Sequence, residues 1–287
     1  TPSACAGFSV LHRPVESALI GGRYDRANTG QNASPVSLDA AKAGRIGLTD
    51  RQFSPRVGVL YELREGLSVY GSYTESFGVN NGLSATGEAF DPECAEQWEI
   101  GFKAESADKR LTSTVSLFDL TRDNMLTADP ADSLFQIVAG EARSRGIEAD
   151  VSGQITDRLK LLATFAHMDA RYVRNNDGLQ GNRLENAPHS QGSVWGTWQF
   201  NDAYKAGLGV IAVGERMGDA ANSYRLSGYG RVDALVAYTQ RIGQNRLTAQ
   251  LNVYNLLDKK YYASGGGRAS IMPGMPRSFL ASVKYEF

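Results

Sequence analysis

With 30 Lys and Arg against 31 Asp and Glu over 287 residues, a net charge of −1, the chain has no basic surplus to hold nucleic acid. No stretch approaches the roughly 18 consecutive apolar residues of a membrane helix, and no zinc-type Cys/His spacing occurs. A strand-built membrane protein stays open, because each of its strands needs only about 10 residues of alternating polarity. Gly 31, Tyr 13 and Phe 11 against Cys 2 describe a β-rich chain that does not rely on disulfides. Cys5 and Cys94 either pair in an oxidising compartment or remain free thiols. The chain opens Thr1-Pro-Ser-Ala-Cys5 with no initiator Met, basic n-region or apolar h-region, so for an exported protein a longer precursor is expected.

The predicted elements alternate with period two, which sends successive side chains to opposite faces of a strand. Residues 16–26 set Ala18, Ile20 and Tyr24 against Arg23 and Asp25. In 54–64, Val57, Val59, Tyr61 and Leu63 oppose Arg56 and Glu62. In 67–76, Leu67, Val69 and Tyr73 oppose Ser68, Ser72 and Thr74. Residues 94–104 oppose Trp98, Ile100 and Phe102 to Gln97, Glu99 and Lys103. From Leu111, Val115 and Leu117 onward the pattern continues through Ile147, Ala149 and Val151, then Leu159, Leu161, Ala163 and Phe165. Val194, Trp198 and Phe200 follow, then Tyr204, Ala206, Leu208 and Val210. Val232, Val236 and Tyr238, then Leu247, Ala249, Leu251 and Val253, precede a final strand over 277–287 with Phe279, Ala281, Val283, Tyr285 and Phe287 on one face.

That makes about twelve strands and no convincing amphipathic helix. Short joints near 65–66, 106–108, 154–157, 201–202 and 242–245 alternate with long ones near 28–53, 77–93, 123–141, 171–188, 214–228 and 256–276. In a meander this sorts every long loop to one end, the asymmetry of outer-membrane barrels. A soluble β-sandwich also alternates, but its loops have no reason to sort by length. The fold expected is all-β, an antiparallel up-and-down transmembrane β-barrel. Tyr73, Trp98, Trp198, Tyr204, Tyr238, Tyr285 and Phe287 are its expected girdle at the membrane interfaces.

Several strings resemble one family, the TonB-dependent siderophore receptors. Asn252-Val-Tyr-Asn-Leu-Leu-Asp-Lys-Lys-Tyr-Tyr262 is similar to its N-x-x-N-L-x-D-K-x-Y segment. Pro92-Glu93 with Gln97-Trp-Glu-Ile-Gly-Phe-Lys103 is similar to P-E-x-x-x-x-(W/Y)-E-x-G-x-K. Arg145-Gly-Ile-Glu148 resembles its R-G-x-E strand start, and 18–25 and 70–77 resemble further family strands. The resemblance implies a barrel of about 22 strands around an N-terminal plug. On that reading, 1–15 is the remnant of a preceding strand and turn, and 16–287 is the C-terminal portion of the barrel, with plug and first strands absent. The implied partners are a ferric siderophore, TonB acting through the absent plug, and outer-membrane lipid. No cofactor is implied beyond iron inside its chelate.

A bulky chelate with an aromatic periphery calls for aromatic and Arg side chains at loop bases. The candidates are Phe77, Asn80, Asn81, Phe90, Arg183, Tyr224, Tyr229 and Arg268; for each Tyr or Phe the competing reading is interfacial or loop packing. No catalytic residue or metal ligand is expected. The glycines at 265–267 form a flexible loop, because no helix follows to cradle phosphate. A passive porin with a standalone twelve-stranded barrel is the alternative function. A remoter one is an acyl hydrolase, which needs a Ser and a His on the wall; of His12, His167 and His189, His167 lies on the outward row of Phe165.

Overall fold

The computed structural model describes residues 4–11, 16–31, 46–80, 84, 90–129, 136–266 and 270–287. Strands β1 (Ala4–Leu11), β2 (Glu16–Gln31), β3 (Ile46–Arg64), β4 (Leu67–Gly78), β5 (Glu93–Glu105) and β6 (Leu111–Ala128) come first. Then follow β7 (Gln136–Gln154), β8 (Leu159–Arg174), β9 (Ser190–Gln199) and β10 (Tyr204–Val213). Two short strands, β11 (Arg216–Met217) and β12 (Arg225–Leu226), lead to β13 (Tyr229–Ile242) and β14 (Asn245–Tyr254). A second short pair, β15 (Tyr262–Gly265) and β16 (Ile271–Pro273), precedes β17 (Ser278–Glu286). No helix occurs among the described residues.

Thirteen strands form one antiparallel sheet in chain order, β1 to β10, then β13, β14 and β17; β11–β12 and β15–β16 are separate two-stranded ribbons in the loops. The twelve strands expected from periodicity are all present, and β1, paired with β2 from Ala4↔Tyr24 to Leu11↔Ser17, is the thirteenth. Tight turns join alternate pairs. At 65–66 the reversal needs Gly66 at φ 76, and a Cβ there would stand 2.6 Å from the Glu105 carbonyl oxygen.

Two of the expected long loops are partly strand. The β2–β3 ladder runs out to Gln31↔Ile46, and β6–β7 to Ala128↔Gln136. Beyond the apolar band both faces of a hairpin are wet, so the backbone ladder continues where hydrophobic alternation no longer marks it. Of the two cysteines, Cys94 on β5 is a free thiol.

Polarity is inverted relative to a water-soluble sheet. One face exposes the apolar rows, with Ile20 at 63%, Trp98 at 61% and Val283 at 73% of full accessibility. The other face carries cross-strand polar pairs. Tyr70 donates to Glu99 at 2.5 Å, and the hydroxyls of Thr164 and Ser193 lie 2.8 Å apart. Arg246 donates to Glu286 at 2.9 Å. Burying such an apolar face in water would require a second layer that the described residues lack; hydrocarbon suits it directly.

The expected girdle residues lie at two levels on the apolar face. Trp198, the tilted ring pair Tyr204–Tyr238 (5.0 Å) and Tyr285–Phe287 (6.3 Å) are at the short-turn end. Tyr73 and Trp98, 4.6 Å apart, are at the long-loop side.

Candidate ligand-binding mouth

The long connections do not hang separately; asparagine side chains sew them together. Asn124, Asn186, Asn222 and Asn255 all sit at positive φ, between 53° and 60°. Asn tolerates that left-handed conformation, and its amide offers both a donor and an acceptor that imitate a backbone unit.

Asn222 Nδ2 donates to the Arg183 carbonyl (2.8 Å), and the Arg183 amide donates back to Asn222 Oδ1 (2.9 Å). Asn186 makes the same reciprocal pair with Gly265, both bonds 2.8 Å. Its own amide donates to the Met217 carbonyl at 2.9 Å. The β8–β9, β10–β13 and β14–β17 connections therefore form one knot.

Beneath it runs a stack of cations and rings. Arg216 is only 2% exposed, donates to the carbonyls of Tyr262 and Ala263, and lies 5.4 Å from the Tyr229 ring centroid. Tyr229 stacks on Tyr261 at 4.2 Å. Arg231 reaches the Tyr261 hydroxyl at 3.4 Å and pairs with Asp233 at 2.8 Å. Asp233 accepts the Asn255 amide at 2.8 Å. Asn255, 1% exposed, closes the turn. It accepts from the Lys259 amide and donates to the Lys259 and Met275 carbonyls.

The other half of the mouth is organised by Asn80 and a bulge in β6. Asn80 is buried and donates to the carbonyls of Asp91 and Asn124, both at 2.7 Å; Asn124 Nδ2 donates to the Pro92 carbonyl at 3.0 Å. At the top of the polar face, Arg122, Leu120, Tyr172, Leu184 and Glu185 surround a hollow of about 330 Å³. Arg122 there holds Glu93 through Nε and Nη2, and the Tyr172 hydroxyl donates to Glu185 at 2.9 Å.

The residues expected at the mouth are thus distributed. Arg183, Tyr224 and Tyr229 come together in the three-loop knot, with the Tyr224 hydroxyl donating to the Gly218 carbonyl at 2.9 Å. Asn80 and Phe90 are buried in the first loop system. Phe77 shares its strand face with Tyr73, the lipid-side row, and pairs in register with Cys94. Asn81 and Arg268 lie outside the described residues. Burial, with the like charge of Arg171 second, holds the Arg183 guanidinium below its usual pKa. Sequence reasoning missed Arg216, Tyr172, Tyr261 and the asparagine latches; four isolated Asn in long loops were the available signal.

His167 Nδ1 and Ser190 Oγ are 2.8 Å apart on the outward face, set opposite each other by the β8–β9 register. Among the described residues, the hydrogen bond of His167 is to this hydroxyl, not to a carboxylate. Among the described residues, no group of three or more His, Cys, Asp or Glu is placed to hold a metal ion.

A sequence model of the TonB dependent receptor-like β-barrel matches residues 16–256. The chain belongs to the TonB-dependent receptor family. It is 35% identical over 274 residues to the metal-pseudopaline receptor CntO of Pseudomonas aeruginosa, covering 94% of this chain and 38% of that protein. To the ferrichrome outer membrane transporter/phage receptor of Escherichia coli it is 32% identical, over 93% of this chain and 36% of the transporter.

Among solved structures, the siderophore receptor PiuA of Acinetobacter baumannii superposes with a TM-score of 0.81 at 23% identity, over 99% of this chain and 42% of that one. The ferripyoverdine receptor of P. aeruginosa gives 0.76 at 23%, over 99% and 38%. These two show the fold. The chain spans a little over a third of the length of the curated relatives it matches. It is part of an outer-membrane β-barrel, and the named relatives are receptors and transporters.

Proposed function

We propose that this chain supplies much of the barrel wall and half of the external vestibule of a receptor that imports ferric siderophores, energised through TonB. The observation that carries the reading is the mouth itself: three long connections knitted by reciprocal asparagine bonds above a polar-faced wall. A passive channel needs no such knot, whereas a vestibule that must close around a bulky chelate does. The two open sheet edges, β1 and β17, are completed by further strands of the same barrel, because hydrocarbon does not tolerate unpaired backbone.

The protein performs no covalent chemistry in this reading, in keeping with relatives named as receptors and transporters. It needs no cofactor; iron arrives already ligated. Phe90, Arg183, Tyr224 and Tyr229, with Arg122 and Tyr172, define the vestibule's inner surroundings. A second cargo, a metal chelate of the pseudopaline type, is favoured by the 35% identity to the metal-pseudopaline receptor.

The test is radiolabelled uptake in an iron-starved deletion strain, with hydroxamate, catecholate and pseudopaline-type chelates offered singly. Uptake of one chelate should require the gene and stop when the proton gradient is dissipated. If no chelate depends on the gene, the reading fails. Gene-dependent uptake that survives loss of the gradient would make the protein a passive channel.

A further inference from the structure

Two irregularities of the chain build the hollow at the top of the polar face. A bulge at Asn124, φ 58, shifts the β6–β7 register between Arg122 and Met125. It brings the odd-numbered Met125 to the side of Leu120 and Arg122, where strict alternation would turn it to the lipid. Beyond β8 the chain folds back along that strand. The Leu184 amide donates to the Ala170 carbonyl at 2.9 Å, and the Tyr172 amide to the Asn182 carbonyl at 3.0 Å. Leu184 and Glu185 thereby return beside Tyr172. The next residue, Asn186, is latched to Gly265 and Met217, so Glu185 is held in place from the three-loop knot.

Charge in the hollow is uneven. Arg122 is committed to Glu93, and Arg143 at the edge is committed to Asp119. Glu185 accepts only from the neutral Tyr172 hydroxyl and takes part in no ion pair among the described residues. One guanidinium, Arg122, against two carboxylates, Glu93 and Glu185, leaves a formal charge of 1 − 2 = −1. Beside that surplus carboxylate the wall is apolar: Leu120, Met125, Ala142 and Leu184.

We propose that this hollow is a subsite for an alkyl-ammonium arm of the imported chelate, the stem lying along Leu120, Met125 and Leu184 and the ammonium donating to Glu185. Such a subsite rests on the import reading above and adds the chemistry of one end of the cargo. At about 330 Å³ the hollow takes one arm rather than a whole chelate. An arm ending in a carboxylate would meet like charge. A neutral apolar arm would strip water from Glu185 and return no hydrogen bond. An ammonium returns a charge-assisted one, and its stem covers the apolar wall.

The test uses the intact protein containing this chain, purified in detergent, with equilibrium binding of radioiron-labelled chelates as the readout. The probes are a linear ferric trihydroxamate ending in a primary amine and its N-acetyl derivative, which share one iron centre and differ in the charge of the arm. Wild type should bind the amine form roughly tenfold more tightly or better, as expected of one hydrogen bond to a charged group. Glu185→Gln keeps an acceptor for the Tyr172 hydroxyl and should bring that ratio near one. Arg122→Gln leaves Glu93 unanswered and should raise it.

Equal affinities for the two probes in wild type would overturn the proposal. So would a Glu185→Gln protein that loses affinity for both and keeps the ratio, since the carboxylate would then only support the loop. Binding of neither probe would overturn it as well. The import reading is decided separately, by gene-dependent uptake: import of chelates that lack an amine arm would leave that reading standing while this subsite fails, and amine selectivity without gene-dependent uptake would do the reverse.

Discussion

Replacing Asn255 by Ala removes the anchor of the connection between β14 and β17. Three side-chain hydrogen bonds disappear: from the Lys259 amide (2.8 Å), to the Lys259 carbonyl (3.0 Å) and to the Met275 carbonyl (2.9 Å). At about 1 kcal/mol net for each bond, the loss is about 3 kcal/mol. The residue also sits at φ 53, where a non-Gly, non-Asn residue costs about 1 kcal/mol more. The total, about 4 kcal/mol, corresponds to roughly a thousandfold in a local opening equilibrium.

Amide hydrogen exchange on the detergent-solubilised protein reads this directly. Peptides carrying Lys259 should lose protection by up to that factor, while the β13–β14 ladder below stays protected. Asn255→Gly keeps the backbone relaxed and should lie about fivefold closer to wild type. Asn255→Asp retains an acceptor for the Lys259 amide but turns a carboxylate toward two carbonyls, so protection should persist at Lys259 and fall near Met275. Unchanged exchange at Lys259 in Asn255→Ala would show that the loop is held by something other than this side chain.

Asn186→Ala should free Gly265 from the β8–β9 connection, costing about 2 kcal/mol for two bonds, with faster exchange at 262–265 as the measurement. Gly209→Ala places a Cβ 2.1 Å from Trp195 Cε3, so the indole must swing toward the lumen. A cost of about 1–3 kcal/mol and greater acrylamide quenching of tryptophan fluorescence are expected, while Gly196→Ala, with nothing nearer than 3.9 Å, should be neutral. In the turn between β5 and β6, the Ser106 hydroxyl and then the Arg110 amide hold the Asp108 carboxyl below its usual value of 3.8. A lowered folded-state pKa means that the stabilisation is present above the usual value and lost as pH falls through the lowered one. Exchange at Arg110 and Leu111 should therefore accelerate only below the ordinary aspartate range, and Asp108→Asn should abolish that pH dependence.

The alternation of Val57, Val59 and Tyr61 against Arg56 and Glu62, repeated twelve times, was enough to set the twelve sheet strands from β2 onward and their facing, but not β1. Period two is a local property, and a one-residue slip would turn every apolar side chain into the lumen. The segment from Asn252 to Tyr262 was legible as a family string, but its physical reason was not. That Asn255 is buried and bonded to Met275, twenty residues on, depends on how the β14–β17 connection returns to its own base.

Arg145 shows the same division. Its outward facing follows from Ile147 two residues away, which any reader of the chain can count. That it stands between Asp119 and Asp169, each already paired with another arginine, depends on the registers of β6 and β8, which no local pattern carries. Local sequence determined which way each side chain points, because backbone pleating is local. Only the tertiary structure decided which side chains meet across strands and loops, because register and loop return are properties of distant segments.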